Sequence, residues 1–247
     1  MTSQTHSTTG GNVDHAEIHK FTHRAHEWWD PNGAFASLHA INPLRLDWID
    51  RHADLAGKKV LDVGCGAGIL SEAMAVRGAQ VTGLDAGAEH LEVAREHAVD
   101  SGLEIRYLHT TAEDHAERHA GDYDVVTCLE MLEHVPDPDA VIDALVRLVR
   151  PGGWLFLSTI NRTPRAFAEA IIGAEYVLRL LPAGTHEYGR FIRPSELGTA
   201  LRRHGFGVVA MTGLTYSPLS GRYRLVPRTD VNYMLAARRP QEDAETP

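Results

Sequence analysis

The chain is poor in cysteine and has no long apolar run. Its 247 residues include two cysteines, Cys65 and Cys128. A disulfide-stapled secreted scaffold needs more, so a reduced, cytoplasmic chain is the expectation. No apolar stretch approaches the roughly 20 residues that cross a bilayer. Residues 1–11 lack the apolar core of a secretion signal and read as a loose polar tail. What remains is 43% hydrophobic and 23% charged, the composition of an ordinary globular domain with one full core.

Positive charge is scarce at first. Residues 1–161 hold 12 Lys and Arg against 25 acids, whereas residues 162–239 hold 12 Arg against 5 acids. Residues 240–247 form an acidic tail, and the net charge is −9. The acidic part argues against a nucleic-acid partner. The basic part fits either scattered solvated arginines or contact with an anionic membrane leaflet.

The most informative segment is Val60-Leu-Asp-Val-Gly-Cys-Gly-Ala-Gly68. It reads as a strand, a turn almost without side chains, and a helix start. Glycine lets a ligand approach the backbone closely and accepts positive φ. Asp85 ends the next apolar run and is placed to accept hydrogen bonds from ribose hydroxyls. A dinucleotide cofactor fits this pair. However, the spacing is G-x-G-x-G, and Asp62 lies within the strand before the loop. A carboxylate there suits a cationic ligand better than a pyrophosphate, which favours S-adenosylmethionine over NAD.

The alternation of strands and helices predicts an α/β fold, a parallel sheet with helices on both faces. Strands are expected at Lys59–Val63, Val81–Leu84, Glu104–His109, Tyr123–Cys128, Trp154–Thr159, Phe206–Thr212 and Val231–Ala237. Helices are expected at Asp14–Trp29, Asn42–His52, Ile69–Arg77, Ala88–Ser101, Pro138–Arg150 and Ser195–His204. One domain over residues 12–239 accommodates them, with an insertion at about 164–188. Within it, residues 165–181 form an amphipathic helical pattern that suits a lid, an interfacial helix or a core helix. His15, His19, His23 and His26 share one helical face, but no firm metal-ligand set accompanies them. Ligands bind beyond the carboxyl ends of parallel strands. Gly64, Gly66, Asp85, Glu113 and Glu130 all fall on that edge.

Glu130, Glu133 and His134 stand at i, i+3 and i+4. In a helical turn they share a face and are candidates to hold Mg²⁺. Alternatively, His134 acts alone as general base.

The runs Lys59–Leu70, Gly83–Asp85, Tyr123–Pro138 and Val149–Gly153 resemble class I S-adenosylmethionine-dependent methyltransferases. Trp28-Trp-Asp30, Ile41–Leu46, Gly173–Tyr176, Gly184–His186 and Asp230–Met234 narrow the resemblance to the O-methyltransferases of ubiquinone biosynthesis. That resemblance implies a Rossmann-like, seven-stranded sheet with an antiparallel last strand. It also implies methylation of ring hydroxyls on polyprenylated phenol and catechol intermediates at both O-methylation steps. It makes Arg45, Gly64, Asp85 and Leu129 the donor-binding positions, with Arg45 on the donor's carboxylate. Glu130, Glu133 and His134 match a Mg²⁺ site of related eukaryotic enzymes. Peripheral attachment at the inner face of the cytoplasmic membrane, and contact with other enzymes of the pathway, belong to the same expectation. The rival readings are a nicotinamide-dependent oxidoreductase, a non-catalytic regulator that binds the methyl donor, and an RNA methyltransferase.

Overall fold

The computed structural model describes residues 12–14, 16–18, 27–168, 187–217 and 219–241. The histidine face of the first expected helix, most of the 165–181 segment and residues 242–247 lie outside them.

Helix α1 spans Ala36–Ala53, α2 Ile69–Val76, α3 Ala88–Asp100, α4 Ala112–Ala116, α5 Pro138–Leu148 and α6 Pro194–Arg203. Strands β1 to β8 span Lys59–Val63, Gln80–Asp85, Arg106–His109, Tyr123–Leu129, Val149–Ile160, Gly207–Ser217, Arg222–Val226 and Asn232–Arg238. They form one sheet in the order β3-β2-β1-β4-β5-β8-β6-β7. The first five in that order run parallel. Strand β8 is antiparallel to both β5 and β6.

The expected α/β sheet is therefore present, with its last strand antiparallel, but among the described residues it has eight strands rather than seven. The additional strand is β7, which pairs antiparallel with β6 from Gly213↔Val226 to Ser217↔Arg222. It lies at the sheet edge, far along the order from β1, so it leaves the β1–β4 end of the sheet unchanged. Helix α1 also begins earlier than expected, with Pro43 inside it. Proline in the first turn is the usual reading. Here the N-cap Phe35 and, within the preceding turns, Ile41 are buried, which favours the longer helix.

Alternation along the strands divides the core into two layers. Leu61, Val63, Val126, Cys128, Leu155 and Leu157 pack toward residues of α4, α5 and α6. Val60, Val125 and Phe156 pack toward Leu46, Trp48 and Ile49 of α1 and Met74 of α2. Each central strand is thus buried on both faces, which explains its near-continuous apolar sequence. Both cysteines are free and buried, so no disulfide joins them.

Strand order reverses between β1 and β4. Val63 is in register with both Leu84 and Cys128. The chain therefore leaves β1, β2 and β4 at one level, where Gly64, Asp85 and Leu129 lie side by side and Glu130 follows.

Candidate active site

The loop after β1 is held by its own backbone. The amides of Gly64 and Cys65 donate to the Leu84 carbonyl at 2.8 and 3.0 Å. The Gly66 amide donates to Asp85 Oδ2 at 2.8 Å, and the Gly87 amide to Asp85 Oδ1 at 2.7 Å. Asp85 therefore ties the glycine loop to the start of α3 as well as ending β2. Gly64, Gly66 and Gly68 have φ of 71°, 53° and 87°, values that favour glycine. Space is equally restrictive. A Cβ on Gly64 would lie 2.7 Å from Met131 Sδ, and one on Gly66 would lie 2.5 Å from the Trp28 ring.

Asp62 is on the edge expected for a ligand, but its side chain turns into the protein. It is buried, with Ser71 Oγ donating to Oδ2 and Thr127 Oγ1 donating to Oδ1, each at 2.7 Å. Burial pushes its carboxyl up to about 6, against the lowering effect of those two hydrogen bonds. Asp62 thus joins β1 to β4 and α2.

Glu130 follows β4 with φ of 54°, the left-handed region that a non-glycine residue seldom occupies. Such a conformation costs on the order of 1–3 kcal/mol and needs support. The support is a set of short contacts. Arg45 Nη2 lies 2.7 Å from Oε1, and Ser158 Oγ donates to the same oxygen at 2.6 Å. The Glu130 amide donates to the Ser158 carbonyl at 3.0 Å. Leu129, just before it, packs against the α1 side of the core.

Glu133 and His134 occupy a single 3-10 turn, Leu132–His134, rather than an α-helix. Glu133 is buried and accepts from Thr159 Oγ1 at 2.9 Å. Burial first, and then the charge of Glu130, hold its carboxyl well above the usual carboxylate range. The His134 ring takes a different direction, with Nδ1 3.0 Å from Glu17 Oε2. Glu113, at the start of α4, accepts from Asn12 Nδ2 at 2.9 Å.

The expected metal triad is therefore not assembled. A left-handed residue followed by a 3-10 turn replaces the α-helical spacing that would align the three groups. They face Arg45, Thr159 and Glu17 instead. Among the described residues, no group of three His, Cys, Asp or Glu side chains converges to hold a metal ion. The donor set, so placed, does not fit Mg²⁺.

A layer of rings covers the glycine loop. Trp28 stacks on Phe35 at 4.5 Å and lies 5.5 Å from the His90 ring, centroid to centroid. Trp29 stacks on His97 at 3.4 Å, and its Nε1 donates to the Ala67 carbonyl at 3.0 Å.

A methyltransferase-domain family model matches residues 39–211. The ubiquinone biosynthesis O-methyltransferase of Pseudomonas aeruginosa is 60% identical over 228 residues, covering 92% of this chain and 98% of that protein. That of Stutzerimonas stutzeri is 62% identical over 224 residues, covering 91% and 97%. The chain belongs to the ubiquinone biosynthesis O-methyltransferase family. Its fold is shared more widely. Magnesium protoporphyrin IX methyltransferase from Synechocystis with bound SAH superposes with a TM-score of 0.61 at 23% identity, covering 93% of this chain and 89% of that one.

Within this family member, the structure gathers Arg45, Gly64, Gly66, Asp85, Leu129, Glu130 and Glu133 around the ends of β1, β2 and β4. The Asp62 carboxylate lies behind that edge, and Glu113 and His134 are tied to the N-terminal segment. Residue-level reading missed Ser71, Thr127, Ser158 and Thr159, which donate to Asp62, Glu130 and Glu133. It also missed Trp28 and His90 as a cover on the loop. Isolated Ser and Thr carry no local signal. The Trp-Trp pair stood out as a sequence feature, but nothing local says that it folds back 38 residues ahead, onto Ala67.

Proposed function

We infer that the chain moves a methyl group from S-adenosylmethionine to a ring hydroxyl of prenylated phenol and catechol intermediates, at both O-methylation steps of ubiquinone biosynthesis. The observation that carries this reading is the near-full-length identity to enzymes of that name. The glycine cradle at the topological switch point supports it independently. An oxidoreductase, a regulator or an RNA methyltransferase has no comparable support.

The donor fits the residues present. Glycines 64 and 66 keep their own side chains off the loop backbone, against which Met131 and Trp28 pack, Asp85 offers a carboxylate at the end of β2, and Arg45 offers a cation for a carboxylate. Bound there, S-adenosylmethionine supplies a methyl carbon made electrophilic by its sulfonium.

The acceptor hydroxyl must lose its proton. A free phenol has a pKa of about 10, so roughly one in a thousand is ionised at pH 7. A base that recovers this fraction supplies up to about 4 kcal/mol. The His134 imidazole takes that part, oriented by the Glu17 carboxylate, which also favours the imidazolium that forms. Glu133, buried against Thr159, is held above the usual carboxylate range and faces away from that imidazole. Glu130 positions Arg45. The rest of the rate comes from positioning. Because the three expected ligands diverge, turnover in EDTA is expected to equal turnover with added Mg²⁺.

No helix among the described residues is long and apolar enough to cross a membrane. A polyprenyl tail partitions into the bilayer, so the enzyme must meet it at a surface. The amphipathic pattern over 165–181 is the candidate contact. Of its two arginines nearest that role, Arg165 pairs with Asp230 at 2.7 Å, and Arg179 lies outside the described residues. Flotation with anionic liposomes tests this contact, and co-purification tests association with other enzymes of the pathway.

The deciding assay is methyl transfer to a short-chain prenyl catechol. One methylated product per adenosylhomocysteine is expected. Donor binding without product would favour a regulator, and co-purified NAD would favour an oxidoreductase.

A further inference from the structure

We propose that Trp28 and His90 contact the nucleoside part of the methyl donor, extending the subsite between Gly66 and Asp85. The proposal rests on the methyl-donor reading above.

Three observations point there. The first is contact. The outer edge of the Trp28 indole occupies the space that a Cβ on Gly66 would fill. Any ligand on that part of the loop meets this ring. The second is the state of two ring nitrogens. Trp28 Nε1 and His90 Nε2 are buried, and neither has a hydrogen-bond partner among the described residues. His90 itself is only 4% exposed. Buried polar atoms are rarely left unpaired, and two such atoms on neighbouring rings mark a place where a ligand completes the bonding. The third is the rigidity of the frame. His39 Nε2 lies 2.7 Å from the Trp28 carbonyl. Trp29 is fixed by its stack on His97, whose Nδ1 lies 2.9 Å from Glu72 Oε1. The Trp28 corner is thus held in place before any ligand arrives.

The chemistry of the two nitrogens is complementary. His90 Nδ1 lies 3.4 Å from Asp85 Oδ1. An ionised carboxylate only accepts, so that contact calls for a proton on Nδ1 and leaves Nε2 an acceptor. Indole Nε1–H only donates. The missing partner must therefore offer both a donor and an acceptor, beside a flat face that suits an indole. A purine nucleoside has all three: hydroxyl and amino donors, ring-nitrogen and ribose-oxygen acceptors, and a π-face.

The test is calorimetric titration of adenosylhomocysteine into the full chain and its variants, with tryptophan emission followed in parallel. Trp28→Phe keeps a ring and loses the N–H, and His90→Phe loses the acceptor; each is expected to weaken binding about tenfold. Trp28→Ala removes the ring as well and is expected to weaken binding about a hundredfold. The emission change on binding should vanish in Trp28→Phe, although Trp29, Trp48 and Trp154 remain. A merely structural Trp28 would not produce that loss. If Trp28→Ala fails to fold, Trp28→Phe and His90→Phe decide the matter. Wild-type affinity and an intact emission change in both would overturn the proposal alone. Failure of the unaltered chain to bind adenosylhomocysteine would instead overturn the methyl-donor reading on which it rests.

Discussion

Arg45 and Glu130 meet at 2.7 Å, joining the middle of α1 to the residue that follows β4. The contact does two things. It holds a carboxylate at a positive φ, and it sets a guanidinium at the mouth of the glycine loop. Removing the cation leaves a strained backbone with one of its supports gone.

Arg45→Ala is therefore expected to destabilise the fold by roughly 2 kcal/mol, below the roughly 3–5 kcal/mol of a fully buried pair because Glu130 stays partly exposed. Adding Glu130→Gly removes both the uncompensated charge and the left-handed penalty. Urea unfolding should then show the double variant more stable than Arg45→Ala. A double variant that is less stable would mean that the pair does not support this backbone.

Asp62 predicts a pH dependence. Its folded-state pKa, about 6, stands above the ordinary 3.8, so between these values the folded chain holds a proton that the unfolded chain has released. Stability contributed by this group therefore falls as pH rises through that window, by up to about 3 kcal/mol, and is flat above it. Asp62→Asn has no proton to lose, and the Ser71 and Thr127 hydroxyls can rotate to accept from its amide. The variant is expected to gain on wild type between pH 4 and 7 in chemical denaturation. Parallel stability curves would rule out the raised carboxyl.

His134 and Glu17 are separable by kinetics. Loss of a general base typically lowers the rate by about 10²–10⁴-fold, and His134→Ala should fall in that range at saturating donor. Glu17→Gln leaves the imidazole present but less well oriented and should lower kcat about tenfold, with donor affinity unchanged. Full turnover in His134→Ala would rule out the imidazole as the base.

Gly66→Ala tests the loop from the backbone side. The added methyl group meets both a φ of 53° and the Trp28 ring. The left-handed penalty alone is about 1 kcal/mol. Displacing Trp28 should also weaken adenosylhomocysteine binding. Unchanged affinity in calorimetry would show that the loop and the ring do not share a ligand.

Much of this site was legible in the residues. The run Val60–Gly68 and the apolar run ending at Asp85 located the switch-point edge because strand, turn and helix each have a local pattern. Residues 222–226 were missed as a strand. An edge strand is short and half-exposed, and its polar alternation carries little apolar signal. Spacing alone put Glu130, Glu133 and His134 on one face because it assumed an α-helical turn. Only the backbone reveals the left-handed step at Glu130 that separates them.

The sequence by itself determined the parallel α/β core, the glycine cradle and the family, because these rest on periodicity, on residues without side chains and on extended identity. The tertiary structure alone decided which partner each buried charge takes. Asp62 meets Ser71 and Thr127, Glu130 meets Arg45, and His134 meets Glu17. Most desolvated groups are satisfied by whatever the fold brings within about 3 Å, and those partners lie as far as 117 positions away along the chain.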